Sequence, residues 1–187
     1  MPSSSLTLWR TDRRPRLRAI SDQCLAVGRA SPTDPRLEDE NIRGYLLLLS
    51  AHFQGFCRDL YTECAQVIVS GVGFPVRSIF QDELASNRKL DRGNPNLENL
   101  RRDFDRLGSP LDLAGADPAN PVRLADLANL NRWRNIAAHH GVVPMGGPPT
   151  RAMVETWEIS CDGLATSLDR IMYDQIAKVH GSPPWVP

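Results

Sequence analysis

Apolar residues recur along most of the chain at intervals of three and four, which is the spacing of one face of an α-helix. The longest stripe covers residues 36–70 and is sustained over about seven turns. Shorter stripes predict five further helices, at 12–30, 76–88, 94–108, 120–140 and 150–179. No stretch alternates between apolar and polar residues as a half-buried β-strand does. The pattern therefore predicts an all-α bundle with a long antiparallel central helix pair.

The stretches between and beyond these stripes indicate one domain flanked by an N-terminal segment and a C-terminal tail. Residues 1–11 are predicted to be a flexible N-terminal segment, either disordered or strapped onto the domain. Residues 12–180 are predicted to be a single helical domain, and 181–187 a Pro-rich C-terminal tail. Within the short helix at 76–88, the spacing of Ile79, Phe80 and Leu84 predicts that all three side chains point inward.

Composition narrows the classes of function without selecting one. The 187 residues carry 22 Lys+Arg and 22 Asp+Glu, a formal net charge of zero, which argues against coating nucleic acid through bulk charge but allows a local basic cleft. The Arg-rich N-terminus lacks the apolar stretch of a secretory signal, and the apolar run 45–51 is too short to span a membrane. We expect a cytoplasmic protein with no membrane partner.

The side chains best suited to catalysis lie in the last turns of the predicted helix 120–140. This helix begins at Asn120-Pro121 and stops before Gly141. Asn135 and His139 are four residues apart and share one face. Arg134 and His139 are five apart, so on a straight helix they diverge by about 140°. Both can address one phosphate only if the helix unwinds near its end, or if a second chain supplies its own copy.

The run Arg-Asn-Ile-Ala-Ala-His at 134–139 resembles the Arg-polar-x-x-x-His signature of the HEPN superfamily. The long helix 36–70 also looks like the central helix of the HEPN branch found with RNA-ligase and phosphoesterase-type systems. The resemblance implies a HEPN-like helical bundle, and many members of the superfamily are metal-independent ribonucleases. By analogy with the family, we expect a toxin, stress or phage-defence setting, with an antitoxin or defence-system partner.

Cleavage of RNA without a metal needs a base for the 2′-hydroxyl, an acid for the departing 5′-oxygen and a cation beside the phosphate. Histidine can serve as acid or base near neutral pH, and arginine fits two phosphate oxygens. We therefore expect Arg134, Asn135 and His139 to be the catalytic residues of an RNA endonuclease that leaves a 2′,3′-cyclic phosphate, with no metal or cofactor.

One histidine cannot comfortably serve both oxygens of an in-line displacement, because they lie on opposite sides of phosphorus. We hypothesise that His139 of a second copy completes a composite site in a homodimer, the usual arrangement in the HEPN family. His140 is the rival second group. His52, at the edge of the long stripe, is expected to be a core or boundary histidine, with an accessory role at the motif as the lesser alternative.

Other interpretations remain open on the sequence alone. The chain could be a non-catalytic HEPN module that binds RNA or a protein, or a plain dimerisation scaffold. Arg134 could cap helix carbonyls or pair with Asp126 or Asp162. The remaining candidate residues form what we call the arginine surface. It is either a solvated face with ion pairs or a ridge that binds RNA phosphates. Its members are Arg101, Arg102, Arg106 and, in the motif helix, Arg132.

Overall fold

The computed structural model describes residues 2–30, 32, 34–73, 75–108, 110–139 and 147–185. In this part of the chain the structure contains helices and no strand, which confirms the all-α prediction. Its α-helices are α1 (Ser4–Leu8), α2 (Arg14–Gly28), α3 (Pro35–Ser70), α4 (Val76–Ala85), α5 (Leu97–Phe104), α6 (Asn120–His139) and α7 (Arg151–His180). None of these helices is long and apolar enough to cross a membrane.

The long helix α3 forms because its start is capped and one of its faces is continuously apolar. The Asp34 side chain accepts the backbone N–H groups of Arg36 and Leu37, and Pro35 occupies the first turn, where its missing N–H costs nothing. The apolar face is buried along the length of the helix, through Tyr45, Leu46, Leu49, Phe53, Phe56, Cys57, Leu60, Tyr61, Cys64 and Val69. This helix is therefore the centre of the core.

Residues 2–11 lie packed on the domain, which is one of the two arrangements predicted for the segment 1–11, and they are helical from Ser4 rather than flexible. Helix α1 continues through a π-helical turn at Trp9–Arg13 directly into α2. Trp9 is fully buried, and its ring lies 5.9 Å from those of both Phe53 and Phe56 on α3. Burial of so large an aromatic side chain offsets the entropy lost on ordering the segment.

Two acidic side chains from distant helices cap the start of α1. Glu63 on α3 accepts the backbone N–H groups of Ser4 and Ser5, each at 2.9 Å. Asp169 on α7 accepts the N–H of Ser3 at 3.1 Å. These carboxylates satisfy N–H groups that have no partner within the helix, and the negative charge of Glu63 suits a helix N-terminus.

Hydrogen bonds between helices show how α7 is oriented in the bundle. Asn120 and Asp126 of α6 bond to Ser167 and Ser160 of α7 respectively, so these two helices run in opposite directions. At the contacts between α3 and α7, by contrast, the residue numbers of the two helices rise together. Its early residue Tyr45 donates to Glu158 of α7, and its later residue Glu63 lies with Asp169 beside the start of α1. Helices α3 and α7 therefore run in the same general direction.

Helix α4 differs from the inward-facing helix that its spacing predicts. Leu84 is buried, but Ile79 is 67% exposed and Phe80 is 49% exposed. Hydrogen bonds tie down both ends of the helix and leave this face uncovered. Arg77 donates to the Ser70 and Val72 carbonyls at its start, and near its end the Leu84 and Ser86 carbonyls accept from Tyr61 and Arg106 respectively. The prediction was wrong for Ile79 and Phe80, because amphipathic spacing does not show whether a second layer covers a face.

Candidate functional site

The three motif residues lie together in the last two turns of α6 and are accessible. Asn135 and His139 are exposed, and Arg134 is partly exposed. Asn135 and His139 lie one helical turn apart, about 6 Å along the axis. The structure therefore does not bury these side chains separately in packed layers, which is the arrangement that would have excluded a shared site.

A hydrogen bond joins Arg134 to Asn135. The Arg134 Nη1 group donates to the Asn135 Oδ1 atom at 3.2 Å. Among the described residues, no carboxylate pairs with Arg134. The two predicted alternatives are already engaged, since Asp126 accepts from Ser160 and Asp162 pairs with Arg14. The positive charge of Arg134 is consequently not neutralised within this part of the chain.

Asn94, which precedes α5 and which the sequence pattern did not single out, also contacts the motif. Its Nδ2 group donates to the same Asn135 Oδ1 atom at 3.0 Å. The Asn94 carbonyl accepts from the side chain of Asn99 at 2.8 Å. A Cβ atom on the neighbouring Gly93 would come within 2.8 Å of that Asn99 nitrogen, so glycine leaves room for this bond.

The loop that carries Asn94 is anchored to two helices. The buried Asp103 of α5 accepts the backbone N–H groups of Lys89 and Leu90, each at 2.8 Å. Gln54 of α3 donates from Nε2 to the carbonyls of Leu90 at 2.6 Å and Gly93 at 2.9 Å. The loop backbone is therefore held by side chains that the sequence places 13 to 39 positions away.

A buried amide lies one turn before Asn135 on α6. Asn131 is only 7% exposed, and neither its Oδ1 nor its Nδ2 atom has a hydrogen-bond partner among the described residues. An unpaired buried polar group costs about 1–3 kcal/mol. The residue was not singled out from the sequence, because an asparagine on an amphipathic helix is ordinarily solvent-facing.

The arginine surface is used in part for structure. Arg101 donates to the Leu111 carbonyl at 3.3 Å, and Arg106 donates to the carbonyls of Ser86 and Glu83. These two side chains hold loop and helix ends together. Arg102 and Arg132 are exposed.

His52 lies beside the N-terminal helices. The Arg13 guanidinium donates to the His52 carbonyl at 3.4 Å, and the charges of Arg13, Arg16 and Asp12 act on its ring. Burial is the main cause that lowers the pKa of His52, followed by the two arginines. The structure thus gives His52 a boundary position of the predicted kind. The rival residue His140 and the predicted helix stop at Gly141 lie outside the described residues.

The described residues contain no group of three or more His, Cys, Asp or Glu side chains arranged to hold a metal ion. All four cysteines are buried and free, and burial raises the pKa of each thiol. No protein-family model, curated protein or solved structure matches this chain. The fold and the site define an all-helical protein with an exposed Arg-Asn-His group at the end of one helix.

Proposed function

We propose that this protein is a metal-independent RNA endonuclease of the HEPN type, with Arg134, Asn135 and His139 as its catalytic residues. One observation carries the proposal. A guanidinium without a carboxylate partner in the described chain is hydrogen-bonded to an exposed amide, one turn from an exposed imidazole. Arg134 and Asn135 can hold a phosphate, and an imidazole can transfer a proton, without any metal. Because α6 stays helical through His139, the histidine that acts on the phosphate held by Arg134 comes from a second chain in this proposal.

The three side chains have different roles in the proposed reaction. Arg134 binds the non-bridging phosphate oxygens and stabilises the charge that builds on phosphorus. Asn135 donates to one of those oxygens. His139 exchanges a proton with the 2′-hydroxyl or with the departing 5′-oxygen, since imidazole changes protonation near neutral pH. The 2′-oxygen attacks phosphorus and the P–O5′ bond breaks, leaving a 2′,3′-cyclic phosphate and a free 5′-hydroxyl.

The second proton-transfer group comes, in this proposal, from His139 of another copy in a homodimer. The exposure of His139 supports this arrangement, because an exposed imidazole at a helix end is available to a symmetry-related site. In a HEPN-like bundle, α6 and α7 would form the central antiparallel pair. A toxin or phage-defence setting, with an antitoxin or other defence partner, completes the proposal by analogy with the family.

The direct test is cleavage of labelled RNA in the presence of EDTA. His139→Ala and Arg134→Ala are each expected to lower the rate by about 10²–10³-fold. The matched control is Arg36→Ala, which removes an exposed arginine from another helix, α3. A requirement for Mg²⁺, or equal activity in all variants, would contradict the proposal. Binding of RNA without cleavage, with a salt dependence that Arg134→Ala weakens, would indicate the non-catalytic alternative.

Mixed dimers test the composite site. Wild-type and His139→Ala chains with different tags can be co-expressed and purified as heterodimers. If each cut uses one histidine from each chain, a heterodimer loses most of its activity. Full activity in the heterodimer would show that one chain suffices.

A further inference from the structure

The contacts of Asn135 determine which way its amide group faces. A guanidinium can only donate hydrogen bonds, so the Asn135 atom 3.2 Å from Arg134 Nη1 must be the carbonyl oxygen. The Asn94 Nδ2 group donates to that same oxygen at 3.0 Å. Both acceptor positions of the oxygen are then used, and the NH₂ group of Asn135 is turned away from both donors.

Two neighbouring donor groups remain available on Arg134 and Asn135. They are the NH₂ group of Asn135, which is exposed, and the remaining N–H groups of Arg134. Adjacent donors, one of them permanently charged, suit a ligand that offers adjacent anionic oxygens. A phosphodiester has two such oxygens, whereas the edge of a nucleobase presents donors as well as acceptors.

We infer that Asn94 is a positioning residue, which holds the Asn135 amide with its NH₂ group toward a phosphodiester. This inference rests on the proposed site, but it concerns ligand binding and does not require catalysis. Arg134 alone is a weak guide for the amide, because its long side chain is partly exposed. Asn94 is better suited, because its backbone is fixed by Asn99 and its loop by Gln54 and Asp103.

Without Asn94, the amide loses one of the two bonds that oppose rotation by 180°. The rotated amide would present its oxygen to the phosphate, where two acceptors repel each other. Removing one such hydrogen bond is expected to weaken phosphate affinity by about fivefold. In this proposal the effect passes through Asn135, because Asn94 acts by donating to the Asn135 oxygen.

The test is a double-mutant cycle on the full-length chain, with inorganic phosphate as the probe. Nuclear magnetic resonance would follow the α6 backbone amides for affinity and the Asn135 side-chain NH₂ signal for orientation. The variants are Asn94→Ala, Asn135→Ala and the double substitution, with Asn129→Ala as the control. Asn129 is an exposed asparagine on α6, six residues before Asn135. Urea unfolding of each variant would show that the fold is intact.

We expect phosphate to shift the Asn135 NH₂ signal in the wild type, and Asn94→Ala to weaken affinity by about fivefold only when Asn135 is present. An equal loss in both backgrounds, or no shift of the Asn135 signal, would overturn the inference. RNA cleavage is scored separately. Coupled phosphate binding without cleavage would refute the proposed catalysis alone, whereas cleavage without coupling would refute the role of Asn94 alone.

Discussion

The buried carboxylate of Asp103 provides a stringent test of how the loop beside the site is held. Its side chain accepts two backbone N–H groups, those of Lys89 and Leu90, each at 2.8 Å, and the residue is 1% exposed. In Asp103→Ala both N–H groups lose their acceptor, and a small cavity replaces the carboxylate. The start of the loop that carries Asn94 then loses its anchor to α5, while Asn99 still holds the Asn94 carbonyl.

The magnitude follows from the two bonds and from the desolvation of the charge. A hydrogen bond to a charged group contributes about 1.5–3 kcal/mol, but one carboxylate serves both bonds and its own burial is unfavourable. We therefore expect a loss of about 3 kcal/mol in the free energy of unfolding. For a chain of this size, that loss corresponds to a decrease of about 6–12 °C in Tm.

Urea unfolding followed by far-UV circular dichroism, at one protein concentration, measures this loss. Asp112→Ala is the matched control, because Asp112 is exposed and accepts only the Gly115 N–H, at 3.0 Å. The control is expected to lose less than about 1 kcal/mol. A similar, small loss in both variants would refute the claim that Asp103 anchors the loop. RNA cleavage should also fall in Asp103→Ala, since the loop would hold Asn94 less firmly beside Asn135.

Three further predictions concern other parts of the molecule. Burial raises the pKa of Asp169, so the stability that this carboxyl contributes is present below about pH 4 and is lost as pH rises through its folded-state pKa. Asp169→Asn, which keeps an oxygen for the Ser3 N–H, should therefore have a higher urea midpoint than the wild type at pH 7, and equal midpoints at pH 7 would contradict this. Burial lowers the pKa of His52, so its contribution is complete above about pH 6.5 and declines as pH falls toward the lowered value. His52→Gln should lose less stability than the wild type between pH 7 and pH 5, and parallel profiles would show that this histidine is not responsible. Ile79→Ser should change the free energy of unfolding by less than about 0.5 kcal/mol, whereas Leu84→Ser should cost more than about 2 kcal/mol, and comparable losses in thermal melts would mean that the outer face of α4 is covered.

The local pattern was sufficient where a helix depends on its own residues. Helices α3, α6 and α7 lie where the apolar spacing places them, and Gly181 ends α7 with a φ of +69°, as a glycine after a last helical turn commonly does. The shared face of Asn135 and His139 also follows from the sequence, because two residues four apart on a helix lie on one face whatever the helix packs against.

The local pattern was insufficient where a distant side chain decides the outcome. The Ser-rich start of the chain is helical because Glu63 and Asp169 cap it and Phe53 and Phe56 cover Trp9. Neither capping nor covering can be read from residues 1–11 themselves.

By itself, the sequence determined the helical class, the long helices and the position of Arg134, Asn135 and His139 on one of them, since all of these depend on spacing within about two turns. Only the tertiary structure decided that Asn94 reaches Asn135. That contact depends on Asp103 and Gln54 holding a loop 41 residues away from the motif. Side-chain hydrogen bonds over such separations leave no periodic signal in the chain, because they arise only when the helices pack.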